Sequence, residues 1–335
     1  MLKPWLLAIA AICFLATLSY SWVDYCLQVD SQLSNKEIVT FEITKGQSLK
    51  SIADGLYAKG LIEKPMWFRL LAWSENSTGK LKFGEYEIPV ATTPRQLLTL
   101  FTSGKVRHYS VTIVEGWTFR QMVDALQRQP KLVHQIDGKT AKEIMEVLDA
   151  PGEMAEGRFF PDTYFFPKGT ADIDVLKRAY RKMQTVLADE WRERAEDLQL
   201  HNPYEALILA SIVEKESALA EERTKIAGVF SRRLAKRMLL QTDPTVIYGM
   251  GESYMGNIRK DDLLRDTPFN TYVHLGLPPT PICMPGIGAL RAALHPDSDG
   301  SLYFVARGDG GHVFSENLAD HNKAVDQYIK KSRHE

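Results

Sequence analysis

From Pro4 to Val23 the chain reads PWLLAIAAICFLATLSYSWV, a run without a single charge. No other feature limits the fold as strongly. Such a run satisfies its own backbone hydrogen bonds only as a helix, and about 20 residues at ~1.5 Å each cross a hydrocarbon core of ~30 Å. Lys3 precedes it, Asp24 follows it, and Trp5 and Trp22 sit near its ends, where interfacial aromatics collect. Lys3 is a positive-inside cue that places Met1 in the cytoplasm and the rest of the chain outside. A cleaved signal peptide is the competing reading, but no small-residue cleavage pattern closes the run. Cys13 after AAI has the look of a lipoprotein site, yet the apolar stretch continues well past it. The expectation is an uncleaved, single-pass anchor over 1–24 and a linker over 25–39.

The remaining chain has the length and apolar content to bury a core of its own. With 41 basic residues against 42 acidic ones and no basic block, nucleic acid is not an expected partner. Cys13, Cys26 and Cys283 have no metal-ligand spacing, and the eight histidines are scattered. A Cys26–Cys283 disulfide is formally allowed, but nothing calls for it. P-loop, HExxH and GxSxG patterns are missing, so neither metal nor cofactor is expected.

Between 40 and 130 one pattern occurs three times: FEITKGQSLKSIADGL, YEIPVATTPRQLLTLF and VTIVEGWTFRQMVDAL. Ser48, Thr93 and Thr118 align as N-caps between an alternating strand and a short helix. Gln96 and Gln121 complete capping boxes in two of the three. The first unit, with KGQSLKSIADGLYAKGLI, resembles a LysM module, a peptidoglycan-binding fold. It reads equally as a common way to begin an α+β domain.

Beyond 130, EGRFFPDTYFFPKGT is a rigid aromatic segment, able to stack on sugar rings or simply to pack a domain edge. The amphipathic stretch from Val175 to Leu198 reads as scaffold. A helix then begins near Pro203 and carries ASIVEKESALAEER. At about 100° per residue, Glu216 falls within roughly 60° of Leu209, Ile212, Val213, Leu219 and Ala220, whereas Glu214 falls about 160° away. Glu216 is therefore expected on the apolar face and Glu214 toward solvent. A carboxyl on an apolar face resists ionisation, which suits a general acid acting on a glycosidic oxygen. The alternative is a structural ion pair between Glu216 and an arginine such as Arg223. Ser217 has no histidine at a helical spacing that makes a triad, and His312 and His321 are assigned structural roles. LYFVARGDGGHVFSEN reads as a hairpin turning at RGDGG.

EGRFFPDTY, ASIVEKES, AGVFSRRL, LQTDPTVIYGMG, NTY, GLPPTPI, AALHP and GGHVFSENLADHN occur in that order between Glu156 and Asn322, within a likeness that spans roughly residues 40 to 325. In this combination the sequence resembles the YceG-like family, the endolytic murein transglycosylases. One departure is Cys283-Met284 before Pro285-Gly286, where the family has small or polar residues; it is expected to affect loop packing rather than chemistry. The resemblance implies cleavage of the β-1,4 bond between N-acetylmuramic acid and N-acetylglucosamine in nascent peptidoglycan strands. The muramic 6-hydroxyl attacks, leaving a 1,6-anhydro end and terminating elongation. It assigns catalysis to the second acid of EKES, Glu216. Gln241, Asp243, Tyr248, Asn270 and Tyr272 are the candidate sugar-orienting residues. It implies an inner-membrane protein with its catalytic domain in the periplasm, working beside peptidoglycan synthases.

The expected fold is α+β: a transmembrane helix, a small LysM-like domain of strand–helix units over 40–130, and a larger catalytic domain over 131–335 with the catalytic glutamate on a helix. Two other functions fit the residues. One is a lysozyme-like muramidase hydrolysing the same bond with Glu216 and Asp243. The other is a non-catalytic peptidoglycan-binding scaffold.

Overall fold

The uncharged N-terminal run is one helix, α1 (Pro4–Asp30), in the computed structural model, which describes residues 4–216 and 219–330. It is long and apolar enough to cross a membrane, and the side chains of its apolar span are unburied. It does not stop at residue 24. Tyr25 and Val29 on its last turns, and Leu33 just beyond, enter a protein core. Asp24 accepts hydrogen bonds from Lys64 Nζ at 2.7 and 2.8 Å and from Trp67 Nε1 at 2.9 Å. The segment 25–39, expected as a linker, is thus helical through Asp30 and anchored by packing. The apolar positions Tyr25, Val29 and Leu33, spaced by four, give the physical reason.

Packing divides the chain into two units, Met1–Tyr109 with Lys131–Val133 and Phe165–Thr170, and Ser110–Pro130 with His134–Tyr164 and Ala171–Glu335. Both mix helices and strands. In the first, β1 (Val39–Ile43) and β2 (Gly84–Ile88) pair antiparallel, with Val39 opposite Ile88 and Phe41 opposite Tyr86. Phe41, Ile43, Tyr86 and Ile88 alternate onto one face, covered by α2 (Leu49–Ala58), α3 (Pro65–Ser74) and α4 (Pro94–Ser103). Phe101 centres this core, its ring 4.7 Å from Tyr86, 5.8 Å from Phe41 and 6.5 Å from Phe68. The buried Tyr86 hydroxyl is satisfied by the carbonyls of Lys82 and Phe101.

The caps fall where the repeats place them. Ser48 Oγ accepts from Ser51 N, and Thr93 and Thr118 each form a full capping box, with Gln96 and Gln121. Thr93→Ala should remove about 1 kcal/mol of stability, read by chemical unfolding of the full-length protein in detergent. The third strand–helix repeat does not stay with the first two. Its helix, α5 (Phe119–Gln127), belongs to the second unit, so the division differs from the expected 40–130 and 131–335.

The second unit continues with α6 (Ala141–Val147), α7 (Asp172–Arg192), α8 (Pro203–Glu216), α9 (Arg223–Ala235), α10 (Asp243–Met250), α11 (Lys260–Leu264) and α12 (Ile287–Leu294). A hairpin of Tyr303–Ala306 and His312–Ser315 and a last helix, α13 (Leu318–Val325), follow. Asn202 Oδ1 accepts from Glu205 N and caps α8. From Ala206 to Val213 every residue of α8 is buried, against α7, α9 and α12. Ser211, the one polar residue in that run, donates to Ile208 O and accepts from Ile282 N. At Gly228 of α9 an added Cβ would lie 2.3 Å from the Asp297 carbonyl, so a close backbone approach requires the glycine. The hairpin turns at RGDGG as the sequence indicates, with Ala306 opposite His312, and Phe304 packs on Phe230.

Candidate active site

Glu216 is the last residue of α8. Leu219 and Ala220, counted above as part of its helical face, lie beyond the helix, and Ser217 lies outside the described residues. Its environment comes instead from other elements. The Thr242 hydroxyl donates to Glu216 Oε1. The carboxyl opens on a cleft of about 550 Å³ whose polar lining includes Arg233, Gln241, Asp243, Tyr272 and His312. Burial pushes the Glu216 carboxyl up to about 7, with the Asp243 charge adding to the rise while Thr242, His312 and Arg233 oppose it. Such a group holds its proton to near neutrality and can release and retake it, the property needed of an acid that later serves as base.

The chain that carries Thr242 is fixed by backbone. Gln241 has φ 52°, a left-handed conformation that a residue with a Cβ seldom adopts. Its N–H donates to Thr271 O at 3.1 Å, Thr242 N donates to Thr271 Oγ1 at 3.1 Å, and Thr245 and Thr271 share a hydroxyl contact at 2.9 Å. Asp243 opens α10 and accepts from the Tyr272 hydroxyl at 2.6 Å. Burial, reinforced by Asp243, holds the Tyr272 phenol protonated well above its ordinary range.

Four sequence-selected residues, Glu216, Gln241, Asp243 and Tyr272, therefore meet in one cleft. Two others do not join them. Asn270 is buried, its Nδ2 donating to Leu263 O and Arg265 O and its Oδ1 accepting from Tyr272 N, so it braces the loop instead of facing the groove. Tyr248 packs on Phe269 at 4.8 Å and donates to Glu156 Oε2 at 3.0 Å. Glu156 also accepts from Phe119 N, and burial raises its carboxyl to about 7.

Other cleft residues escaped selection, Arg233, His321 and His312 among them. Arg233 comes from α9, is 7% exposed, and donates to the carbonyls of Leu240 and Leu302 with its guanidinium 5.1 Å from the Tyr303 ring centre. Burial lowers its pKa. His321 stacks on Tyr303, and burial with the Arg233 charge lowers its pKa. His312 Nδ1 lies 2.7 Å from Glu222 Oε2, while its backbone N–H donates to Glu222 Oε1 at 2.9 Å. The structural roles assigned to His312 and His321 thus give way to positions in the cleft lining. The only available signal was that AGVFSRRL and GGHVFSENLADHN, which contain Arg233, His312 and His321, were among the motifs carrying the resemblance.

Glu214 also departs from expectation. It points away from Glu216's side of the helix but not into water: its side chain is 6% exposed, paired with Arg223 Nη2 at 3.1 Å and accepting from Gly286 N at 2.9 Å. The arginine considered as a partner for Glu216 serves Glu214 instead. Burial raises the Glu214 pKa, opposed by the Gly286 N–H and Arg223. A Cβ at Gly286 would meet the Glu115 carboxyl, a half-exposed and flexible side chain that would have to swing aside. Cys283 and Met284 just before Gly286 are fully buried, with Met284 N donating to Trp117 O at 2.7 Å.

The sequence profile of the YceG-like family matches residues 41–327. The chain belongs to the YceG-like family. The endolytic murein transglycosylase of Bacillus subtilis (strain 168) is 30% identical to this YceG-like chain over 312 residues, 88% of this chain and 86% of the relative. That of Streptococcus pneumoniae serotype 2 is 28% identical over 362 residues, 96% of this chain, which spans only 65% of that relative's length. The crystal structure of a YceG-like protein from Listeria monocytogenes superposes with a TM-score of 0.55 at 32% identity, covering 86% of this chain and 99% of that one.

Proposed function

We propose that this protein is an endolytic lytic transglycosylase that cleaves the β-1,4 bond between N-acetylmuramic acid and N-acetylglucosamine in nascent peptidoglycan strands. The observation that carries this reading is Glu216, a carboxyl poised near 7 in an open cleft lined by polar and apolar side chains alike. Membership of the family, and a Bacillus relative named for the activity, point the same way. Protonated Glu216 gives its proton to the glycosidic oxygen as the bond from muramic C1 to that oxygen breaks, its electron pair going to the leaving oxygen. The muramic 6-hydroxyl oxygen then bonds to C1, and its proton returns to the Glu216 carboxylate. The products are a 1,6-anhydro end and a free 4-hydroxyl, and the acid is regenerated. An intramolecular nucleophile needs no second carboxylate to activate water. Gln241, Asp243 and Tyr272 orient the sugar from the cleft wall.

In this reading α1 anchors the chain in the inner membrane with both units in the periplasm. The strand–helix repeats of the first unit hold glycan in the manner of a LysM module, and peptidoglycan synthases are the neighbours that supply the strands. Digestion of purified glycan strands in heavy-oxygen water tests the chemistry. Anhydro ends without label are expected; label in new reducing ends would replace transglycosylation with the hydrolysis of a muramidase, and binding without new ends would leave a scaffold.

A further inference from the structure

The pairing of His312 with Glu222 does more than close a surface. Glu222 ends the single 3-10 turn Ala220–Glu222 just before α9, while His312 opens the second strand of the hairpin, ninety positions later in sequence. Both side chains are 12% exposed. Each Glu222 oxygen has its own donor on the same residue, Oε1 the backbone N–H and Oε2 the ring Nδ1. A carboxylate offers only acceptors, so Nδ1 must carry the hydrogen, and in the neutral ring Nε2 then bears the lone pair. The ring is held further by Phe304, whose centroid lies 5.4 Å away nearly edge-on. The structure describes no protein hydrogen bond to Nε2 among the described residues, and His312 lines the same cleft as Glu216.

We propose that His312 is a substrate-orienting residue of the proposed transglycosylase site, its Nε2 accepting a hydrogen bond from a sugar hydroxyl in the cleft, and that Glu222 is its positioning residue. The inference rests on the reading of Glu216 as the catalytic acid. His312 takes no proton in the cycle; the hydroxyl it holds is a sugar hydroxyl other than the 6-hydroxyl, whose own proton goes to Glu216. Fixing the sugar ring so that its 6-hydroxyl stays in line with C1 is the kind of contact whose loss lowers turnover more than binding. In the neutral ring the fixed tautomer makes Nε2 an acceptor, and among the described residues the Glu222 contact fixes that tautomer.

Asparagine and glutamine separate the two ring nitrogens. His312→Asn keeps an N–H near Nδ1 for Glu222 and deletes Nε2; His312→Gln reaches the Nε2 position with an amide oxygen. In the full-length protein, His312→Asn should lower kcat for strand cleavage about 10- to 100-fold with KM changed less than threefold and Tm unchanged. His312→Gln should recover part of that loss. Glu222→Gln should also lower kcat, and adding it to His312→Asn should cost little more, because both act through one ring. Wild-type kcat in His312→Asn overturns the proposal. If His312→Asn lowers Tm, the decision passes to His312→Gln: turnover above that of the Asn variant supports an acceptor at Nε2, and equal loss overturns it. Glu216→Gln, run alongside, keeps the two readings apart. Should it retain cleavage, the site assignment itself fails; should it abolish cleavage while His312→Asn is fully active, only the role of His312 fails.

Discussion

Glu216→Gln is expected to reduce strand cleavage on the order of a thousandfold, leave glycan binding measurable, and make the folded protein more stable at alkaline pH. The first effect follows from removing the group that in the proposed cycle both donates and retakes the proton. Release of 1,6-anhydro ends, counted by mass spectrometry, reads it; retention of more than a tenth of the activity would remove Glu216 from the mechanism. The stability effect has the opposite sign and the same cause. The folded-state carboxyl is raised from 4.5 to about 7. Below 4.5 both folded and unfolded chains hold the proton, and the site costs nothing. Between 4.5 and 7 the unfolded chain releases its proton while the folded chain keeps it, so stability falls as pH rises, by about 3 kcal/mol once both are ionised. Glutamine escapes this loss and still offers Thr242 an acceptor. The variant should therefore exceed wild type by about 2–3 kcal/mol at pH 8 and match it at pH 4, by denaturant unfolding at each pH. Activity of the wild type should decline above about 7, where the acid is lost.

Arg223→Met is the second large effect. Glu214 and Arg223 are 6% and 15% exposed, so removing the cation strands a carboxylate in the interior. Breaking a buried pair from one side costs about 3–5 kcal/mol. The deficit should be greatest at pH 8 and shrink toward pH 4, because the stranded Glu214 can be neutralised by a proton. Because Glu214 also receives the Gly286 N–H and lies two residues before Glu216, turnover should fall with stability. A Tm within 2 °C of wild type at pH 8 would show that Glu214 does not depend on the arginine. The same geometry revises what a Glu214→Gln control would report: it disturbs a packed contact rather than a wetted surface.

The burial of Glu216 was legible because periodicity encodes direction around a helix. What periodicity does not encode is what stands opposite. The wheel sent Glu214 away from Glu216 correctly, but the far side of α8 faces α12 and the Gly286 turn instead of water. The run ALILASIV, broken only by Ser211, was the available hint, for a helix with one solvated face rarely goes so long without a charged residue. Caps were legible for a different reason: Thr93 with Gln96 and Thr118 with Gln121 interact over three residues, within reach of local sequence. Long-range pairs were not. His312 finds Glu222 across ninety positions, and Asn270 turns inward to carbonyls of its own loop, a choice set by backbone path. The extension of α1 into the first unit was likewise hidden, since Tyr25, Val29 and Leu33 look like the margin of an apolar run until α3 and α4 are in place.

That extension has a mechanical consequence. A transmembrane helix joined to its cargo by floppy chain lets the cargo wander; one that runs unbroken into a core, and is pinned at Asp24 by Lys64 and Trp67, acts as a stiff post. With the apolar span of α1 in a bilayer, Val23 to Asp30 rises only about 10 Å. With the proposed placement and glycan binding, the first unit rides at a set height just above the lipid, and sugar it holds is chain newly emerged at the membrane, not wall laid down farther out. Two or three glycines spliced after Asp30 would slacken the post and lengthen its reach.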